Sequence, residues 1–118
     1  MSRSTPWGLA QQVISHAEGF STVFTASHGG MMVSRDAAEK HLSEAARKQA
    51  LKHGDYYCYE EDCAYLIPLF DARNLRKQLV SDNLFLGSKT DEEVESYLIE
   101  SLRYWHPDYL IEKSVEIV

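Results

Sequence analysis

The segment YYCYEEDC, residues 56–63, holds the densest group of chemically versatile side chains in the sequence. Three consecutive carboxylates, Glu60, Glu61 and Asp62, precede its second cysteine. Carboxylates serve as general acids and bases and as ligands of metal ions. With His28, from the earlier segment SHGG, they could form a hydrolytic site, metal-dependent or not, if the two segments meet within hydrogen-bond reach or through one shared ligand. The sequence thus defines four candidate catalytic residues and one geometric condition.

The two cysteines are not expected to form a metal site or to act as nucleophiles. Cys58 and Cys63 are separated by four residues, which is not the spacing of a typical structural zinc pair. His28 and His53 add no characteristic ligand spacing of their own. Thiolate nucleophiles need stabilisation of the negative charge, whereas adjacent carboxylates favour the protonated thiol. We therefore expect free thiols, no metal ion and no other cofactor.

A helix start would explain the three acids without any catalysis. If a helix begins near Asp55 or Tyr57, residues 60–62 lie in its first turn, where carboxylates interact favourably with the helix dipole. The apolar run at residues 64–70 would then be the buried continuation, ended or bent by Pro68. This interpretation favours a protein that is not an enzyme.

The first half of the sequence predicts a helix, a hairpin and a second helix. Pro6 suits the first position of a helix and Gly19 suits its end. The pair Gly29-Gly30 permits the positive φ of a tight hairpin turn, and Ser34 can cap the next helix. The expected ranges are residues 5–18 for the first helix, about 20–34 for the hairpin and 34–53 for the second helix.

The last third contains the best-marked helix. Thr90 and Glu93 form a capping box, and Pro107 suits a stop. Its inward face should contain Val94, Tyr97, Leu98, Leu102 and Trp105. The alternation at the C-terminus, with Val115 and Ile117, predicts a strand that joins the hairpin. The 118 residues suit one domain, 1–118, and we predict a helix-dominated α+β fold with one small antiparallel sheet.

The negative charge is concentrated in the last third. Residues 1–81 carry nine acidic and nine basic side chains, whereas residues 82–118 carry nine acidic and three basic ones. Direct, nonspecific nucleic-acid binding is disfavoured, because it needs a cationic surface. A basic partner protein is favoured. No segment approaches the roughly 20 apolar residues of a membrane span, and none resembles a secretion signal, so we expect no membrane association and a cytoplasmic location.

Three motifs, TPWG at residues 5–8, SHGG at 27–30 and YEEDCAY at 59–65, resemble an uncharacterised domain family found in proteins of bacterial plasmids and phages. The resemblance covers residues 5 to about 70. It implies an origin in a mobile genetic element, so the expected cytoplasmic location is that of a bacterial host cell. It assigns no reaction. The positions that it carries over are Trp7, His28, Gly29, Gly30, Glu60, Glu61, Asp62 and Cys63.

These observations lead to a hypothesis of binding. A small acidic phage protein could inhibit a host defence complex, as anti-CRISPR proteins do, by occupying a cationic nucleic-acid channel of a protein or ribonucleoprotein partner. Two alternatives are the hydrolytic site defined above and an accessory or regulatory domain for plasmid maintenance. The expected partner-binding residues are the acids Asp91, Glu92, Glu95 and Glu100 and the anchors Tyr56, Tyr57 and Tyr59.

Overall fold

A five-stranded antiparallel sheet forms the centre of the fold. The structure, a computed structural model, describes residues 3–81, 83 and 85–117. The strands are ordered β3-β4-β5-β7-β6 across the sheet, and a separate two-stranded pair, β1-β2, precedes them. Their bounds are β1 Ser4–Thr5, β2 Gly8–Leu9, β3 Gln12–Ala17, β4 Phe20–Phe24, β5 Gly29–Ser34, β6 Leu51–His53 and β7 Tyr56–Glu60.

Six α-helices within the described residues complete the fold and confirm the predicted α+β class. Ser34 caps the first helix as expected, and the capping box of Thr90 and Glu93 is present at the start of the longest one. The bounds are α1 Arg35–His41, α2 Glu44–Lys48, α3 Leu66–Asp71, α4 Arg76–Val80, α5 Asp91–Trp105 and α6 Pro107–Ile117.

The predicted first helix is wrong, because this segment forms β1, β2 and β3. The apolar residues that suggested helical spacing include Val13 and Ile14, whose β-branched side chains also favour a strand. β3 pairs with β4 along its whole length, from Gln12 opposite Phe24 to Ala17 opposite Phe20. Gly19, with φ of 82°, makes the tight turn between the two strands and does not end a helix.

The predicted hairpin is confirmed as β4 and β5, but its turn lies earlier than Gly29-Gly30. The Thr25 N–H donates to the His28 carbonyl over 2.9 Å, so the turn comprises residues 25–28. Both glycines belong to β5, and neither has a positive φ. At Gly30 a Cβ atom would collide with the Tyr59 carbonyl and lie 2.6 Å from the Trp7 ring, so close packing explains this glycine.

Two further predictions, the single long helix over residues 34–53 and the C-terminal strand, are wrong. The expected long helix 34–53 divides, because Ser43 accepts a hydrogen bond from the Ala46 N–H and caps a second helix, α2. Residues 51–53 then form β6, and Gly54 makes the turn to β7. Residues 107–117 form α6, so the strand predicted there is absent from the part of the chain that the structure describes.

The sheet packs differently on its two faces. On the helix-covered face, alternating side chains such as Phe20, Met31 and Tyr59 join the main core with apolar residues of the helices. On the opposite face, Val23, Met32 and Cys58 form a smaller buried cluster beneath Trp7. Because successive strand residues point to opposite faces, this alternation decides which residues of each motif can meet.

A buried carboxylate, Asp71, joins three helices. Its side chain is 1% exposed, and it accepts hydrogen bonds from the Ser43 N–H at 2.6 Å and the Ser43 hydroxyl at 2.7 Å. The Tyr109 hydroxyl donates to Asp71 Oδ1 over 2.7 Å, and Lys113 Nζ lies 3.2 Å from the same oxygen. Asp71, at the end of α3, thereby holds the start of α2 and the middle of α6 in place.

Candidate functional site

The three acids of YEEDC lie at the end of a strand. Glu60 is the last residue of β7, and Glu61 and Asp62 belong to the turn that leads to α3. The predicted helix start at these acids is therefore wrong. Cys58 and Tyr59 point to the two faces of the sheet and are both buried, and pairing with β5 and β6 holds this segment extended.

His28 and Glu60 face each other across neighbouring strands. β5 and β7 pair with Gly30 opposite Glu60, which brings the end of β7 beside the turn that precedes β5. The distance from His28 Nδ1 to Glu60 Oε1 is 3.9 Å, and the two side chains are 55% and 48% exposed. SHGG and YEEDC therefore meet in space at this pair, although 3.9 Å is longer than a direct hydrogen bond.

The three motifs that carry the family resemblance form one junction. The Trp7 ring covers Gly30, and the Thr25 hydroxyl lies 3.2 Å from the Trp7 carbonyl and 2.5 Å from the His28 carbonyl. The Glu61 N–H donates to the Gly29 carbonyl over 3.0 Å. Contacts between TPWG, SHGG and YEEDC therefore fix this end of the sheet.

Few side chains of the junction are suited to catalysis. A carboxylate beside an imidazole can orient it as a general base, but both groups of the His28–Glu60 pair are half exposed, where water weakens their interaction. Burial raises the pKa of the Cys58 thiol to about 11, which leaves little thiolate at neutral pH. Within the part of the chain that the structure describes, no group of three His, Cys, Asp or Glu side chains is arranged to hold a metal ion.

The tyrosines of the opening motif cannot form one binding surface. Tyr59 has no exposed surface, and its hydroxyl donates to the Ala46 carbonyl over 2.7 Å, so it serves the core. Tyr56 and Tyr57 are partly buried on opposite faces of β7. Lys52 Nζ lies 3.8 Å from the centre of the Tyr57 ring, a cation–π contact within the chain.

Of the four predicted partner-binding acids, three are exposed and one is committed to the fold. Asp91, Glu92 and Glu100 are exposed on α5. The Glu95 side chain is only 28% exposed, and it accepts a hydrogen bond from Arg73 at 2.6 Å. Arg76 lies 3.6 Å from the other Glu95 oxygen. Glu95 therefore attaches α5 to the segment before it.

Exposed aromatic residues lie beside the acids of α5, and sequence reasoning missed them. Phe85 is 52% exposed, and its ring packs against Tyr97 with centroids 5.1 Å apart. Tyr104 is 75% exposed and follows Tyr97 by two helical turns, so the two residues share one side of α5. Trp105, which the sequence placed inward, is 58% exposed and packs against Tyr104. The seven-residue spacing of Tyr97 and Tyr104 puts both residues on one side of a helix, and this pattern in the sequence could have revealed the surface.

We call this surface the acidic aromatic face. It consists of Glu92, Glu93, Tyr97, Glu100 and Tyr104 of α5 together with the adjacent Phe85. A shallow groove joins most of these residues, since Phe85, Glu92, Glu93, Tyr97 and Glu100 line it. Carboxylates therefore border a strip of aromatic rings in which Phe85 and Tyr104 are exposed and Tyr97 is partly buried.

Comparison of the sequence with known protein families identifies one family that it matches. No helix among the described residues has the length and apolar character needed to cross a membrane. No curated protein and no solved structure gave a significant match to the sequence. The family match runs over residues 1–116, well past the residue of about 70 where the motif resemblance ends, and it includes α5 and most of α6. The chain belongs to the family described as DUF7007, a domain of unknown function.

Proposed function

We propose that this protein binds a basic surface of a partner through the acidic aromatic face of α5. The observation that carries the proposal is the exposure of carboxylates and aromatic rings side by side on one helix. Aromatic residues are enriched among the few interface residues that supply most binding energy, and complementary charge increases the rate and specificity of association.

The charge distribution supports a cationic partner. Asp91, Glu92, Glu93 and Glu100 are all exposed, and the last third of the sequence carries the whole net charge of −6. Lys89 is the nearest base of the groove, and its Nζ lies 4.5 Å from the centre of the Phe85 ring. Arg103 is a second base on this side of α5, but the four exposed carboxylates outnumber the two bases. The field of this face is therefore negative, and it would repel the phosphate backbone of a nucleic acid.

We further propose that the partner is a protein or ribonucleoprotein complex of bacterial defence, and that binding inhibits it in the manner of an anti-CRISPR protein. A surface of carboxylates can compete with phosphates for a cationic nucleic-acid channel. The support for this narrower proposal is the charge of α5 and the motif resemblance to proteins of plasmids and phages. Under this proposal the protein would act in the cytoplasm of the host cell.

A pull-down followed by plaque counts tests both the proposed binding of a basic partner and the narrower proposal of defence inhibition. The tagged protein is used as bait in lysates of defence-positive bacteria, and recovery of a nucleic-acid-guided effector supports inhibition. Recovery of a different basic protein through the same face would retain the binding function and refute the defence role. Plaque counts of phage on defence-positive and defence-negative hosts that express the protein then measure inhibition directly.

Matched charge reversals localise the interface. Replacing Glu92 and Glu100 with lysine should weaken binding roughly tenfold or more at low salt, with a smaller effect as salt rises. Replacing Glu18 and Glu39, exposed acids in the β3–β4 turn and on α1, changes the net charge equally and should leave the affinity nearly unchanged. Equal effects of the two pairs would refute the assignment to α5. Tyr104→Ala should also weaken binding, because its exposed ring is a proposed anchor.

The distance of 3.9 Å between His28 and Glu60 favours a second candidate function, general acid–base chemistry on a substrate that covers the pair. A panel of ester and phosphoester substrates would test it with the variants His28→Ala and Glu60→Gln. Both variants should lose any activity, whereas the control His53→Ala should keep it. Activity that survives both changes would exclude this candidate.

A further inference from the structure

A small cavity opens on the helix-covered face of the sheet, apart from the acidic aromatic face. It has a volume of about 210 Å³ and lies between β3, β4 and β5 on one side and α3 and α4 on the other. An enclosed apolar cavity of about 150 Å³ is known to hold benzene. The cavity is therefore large enough for one substituted ring, and it is smaller than the roughly 300–1,000 Å³ of sites for drug-sized ligands.

The inner wall of the cavity is apolar. Ile14 and Phe24 line it from the sheet, and Leu69 and Leu79 line it from the helices. Phe24 is 38% exposed although it belongs to the face that the helices cover. Its ring would lose this contact with water if a ligand filled the cavity, and burial of apolar surface favours binding.

The polar groups around the cavity are held in place by one another. His16 Nε2 lies 2.6 Å from the Thr22 hydroxyl. Asn83 Oδ1 accepts hydrogen bonds from the Phe85 and Leu86 N–H groups. The rim is therefore ordered before any ligand binds, which reduces the entropic cost of binding.

Glu61 supplies a carboxylate at the mouth of the cavity. Its backbone is fixed to Gly29, and its side chain lies over that glycine, where a Cβ atom would be only 3.1 Å from Glu61 Oε2. Among the described residues, none forms an ion pair or a hydrogen bond with the Glu61 carboxylate. Glu61 is exposed, and its carboxylate at the edge of an apolar wall favours a ligand that carries a cation and an apolar body.

We propose that this cavity binds a small organic ammonium compound with an aromatic or aliphatic body. The ammonium group pairs with the Glu61 carboxylate. The apolar body contacts Phe24 and Leu79 on opposite walls. The matching chemistry is that of primary amines with a single ring, and an anionic compound of the same shape is repelled.

Three probes of similar shape and different charge test the proposal. The binding of 2-phenylethylamine, 2-phenylethanol and 3-phenylpropanoate to the full chain is measured by changes in backbone amide NMR signals. The amine should bind roughly threefold to fivefold more tightly than the alcohol, and the acid should not bind. Equal binding of amine and alcohol, or no binding of the amine, would overturn the proposal.

Neighbouring residues supply matched variants. Glu61→Gln should weaken amine binding roughly threefold to fivefold and leave alcohol binding unchanged. Glu60→Gln alters the adjacent carboxylate, which faces His28, and should not change either affinity. If both glutamates contribute equally, the effect is general charge attraction and the proposed site is wrong.

A second pair of variants tests occupation of the cavity itself. Ile14→Phe should fill part of the cavity and abolish binding of the amine. Val13→Phe adds the same ring to the opposite face of β3, at a position that is 44% exposed, and should have no effect. Unfolding curves of both variants establish that they fold. Binding that survives Ile14→Phe would refute this location.

Discussion

Replacement of Asp71 with alanine should strongly destabilise the protein. The change removes a carboxylate whose side chain is 1% exposed and which receives four donor groups. The Tyr109 hydroxyl and the Ser43 N–H would lose their acceptor inside the protein. Lys113, whose side chain is 22% exposed, would lose its counter-ion. Loss of Asp71 therefore weakens the attachment of both α2 and α6 to α3.

The magnitude follows from the number of interactions. Three hydrogen bonds contribute about 1 kcal/mol each, and those to a charged acceptor contribute more. Buried donors left without an acceptor add their desolvation cost, so the free energy of unfolding should fall by about 3–5 kcal/mol. A domain is typically stable by about 5–15 kcal/mol, so this is a large fraction of the total.

Urea unfolding at neutral pH, followed by circular dichroism, measures the effect. The midpoint should decrease by about 2 M, since the free energy of unfolding changes by about 1–3 kcal/mol per molar urea. If Asp71→Ala does not fold, Tyr109→Phe provides a milder test, because it removes one donor while keeping the ring. That variant should cost about 1 kcal/mol.

The control is Asp55→Ala, because the Asp55 side chain is 82% exposed and lies 3.9 Å from Arg35. It should change the free energy of unfolding by less than about 0.5 kcal/mol. A loss of less than about 1 kcal/mol in Asp71→Ala would refute the reasoning that this carboxylate holds the helices together.

Three further predictions concern the junction, the buried thiol and the α5 salt bridge. Gly30→Ala should destabilise by about 1–3 kcal/mol, because the new methyl group meets the Tyr59 carbonyl; urea unfolding measures the loss. The Cys58 thiol should resist iodoacetamide in the folded protein near pH 9.0, its ordinary pKa, because burial raises that pKa to about 11. As the pH rises, the Cys58 thiol loses its proton in the unfolded protein before it does so in the folded protein. The free energy of unfolding should therefore fall between pH 9.0 and about 11. Cys58→Ala should make this fall with pH less steep. Glu95→Gln should cost about 1 kcal/mol through loss of the pair with Arg73, less at high salt.

Each of these predictions has a control in the chain. Gly54→Ala introduces a methyl group with no atom within 4 Å, although its φ of 58° adds some backbone strain. A greater loss here than at Gly30 would contradict the collision argument. Burial also raises the pKa of Tyr59, so Cys58→Ala should leave part of the alkaline destabilisation. Unchanged pH dependence in that variant would contradict the thiol argument. Glu92→Gln should scarcely affect stability, and a loss equal to that of Glu95→Gln would contradict a structural role for the salt bridge.

Local signals in the sequence predicted several elements correctly. The capping box at Thr90 and Glu93 and the cap at Ser34 depend on residues only three positions apart, so a short window contains all the information. The β4–β5 hairpin was also predictable, because β-branched and aromatic residues flank the turn. The turn itself was misplaced, since Gly30 is required by its contact with Trp7 and Tyr59, which no local pattern reveals.

The wrong predictions have a common physical cause. Residues 12–17 have apolar side chains that fit a helix and a strand equally, and pairing with β4 makes the strand. The long helix 34–53 divides where Ser43 contacts Asp71, a residue distant in sequence. The C-terminal segment is a helix that contacts the same carboxylate through Tyr109. Long-range contacts override weak local preferences in all three regions.

The sequence by itself determined which residues are candidates for a functional site. These are the acids of α5 and the segments SHGG and YEEDC. It also determined the excess of negative charge in the last third. Only the tertiary structure decided which of these residues act together. Pairing of β5 with β7 brings His28 to Glu60, and alternation along the chain directs Glu61 to the cavity on the other side. The reason is that a strand has two faces, and neighbouring strands determine what each face meets.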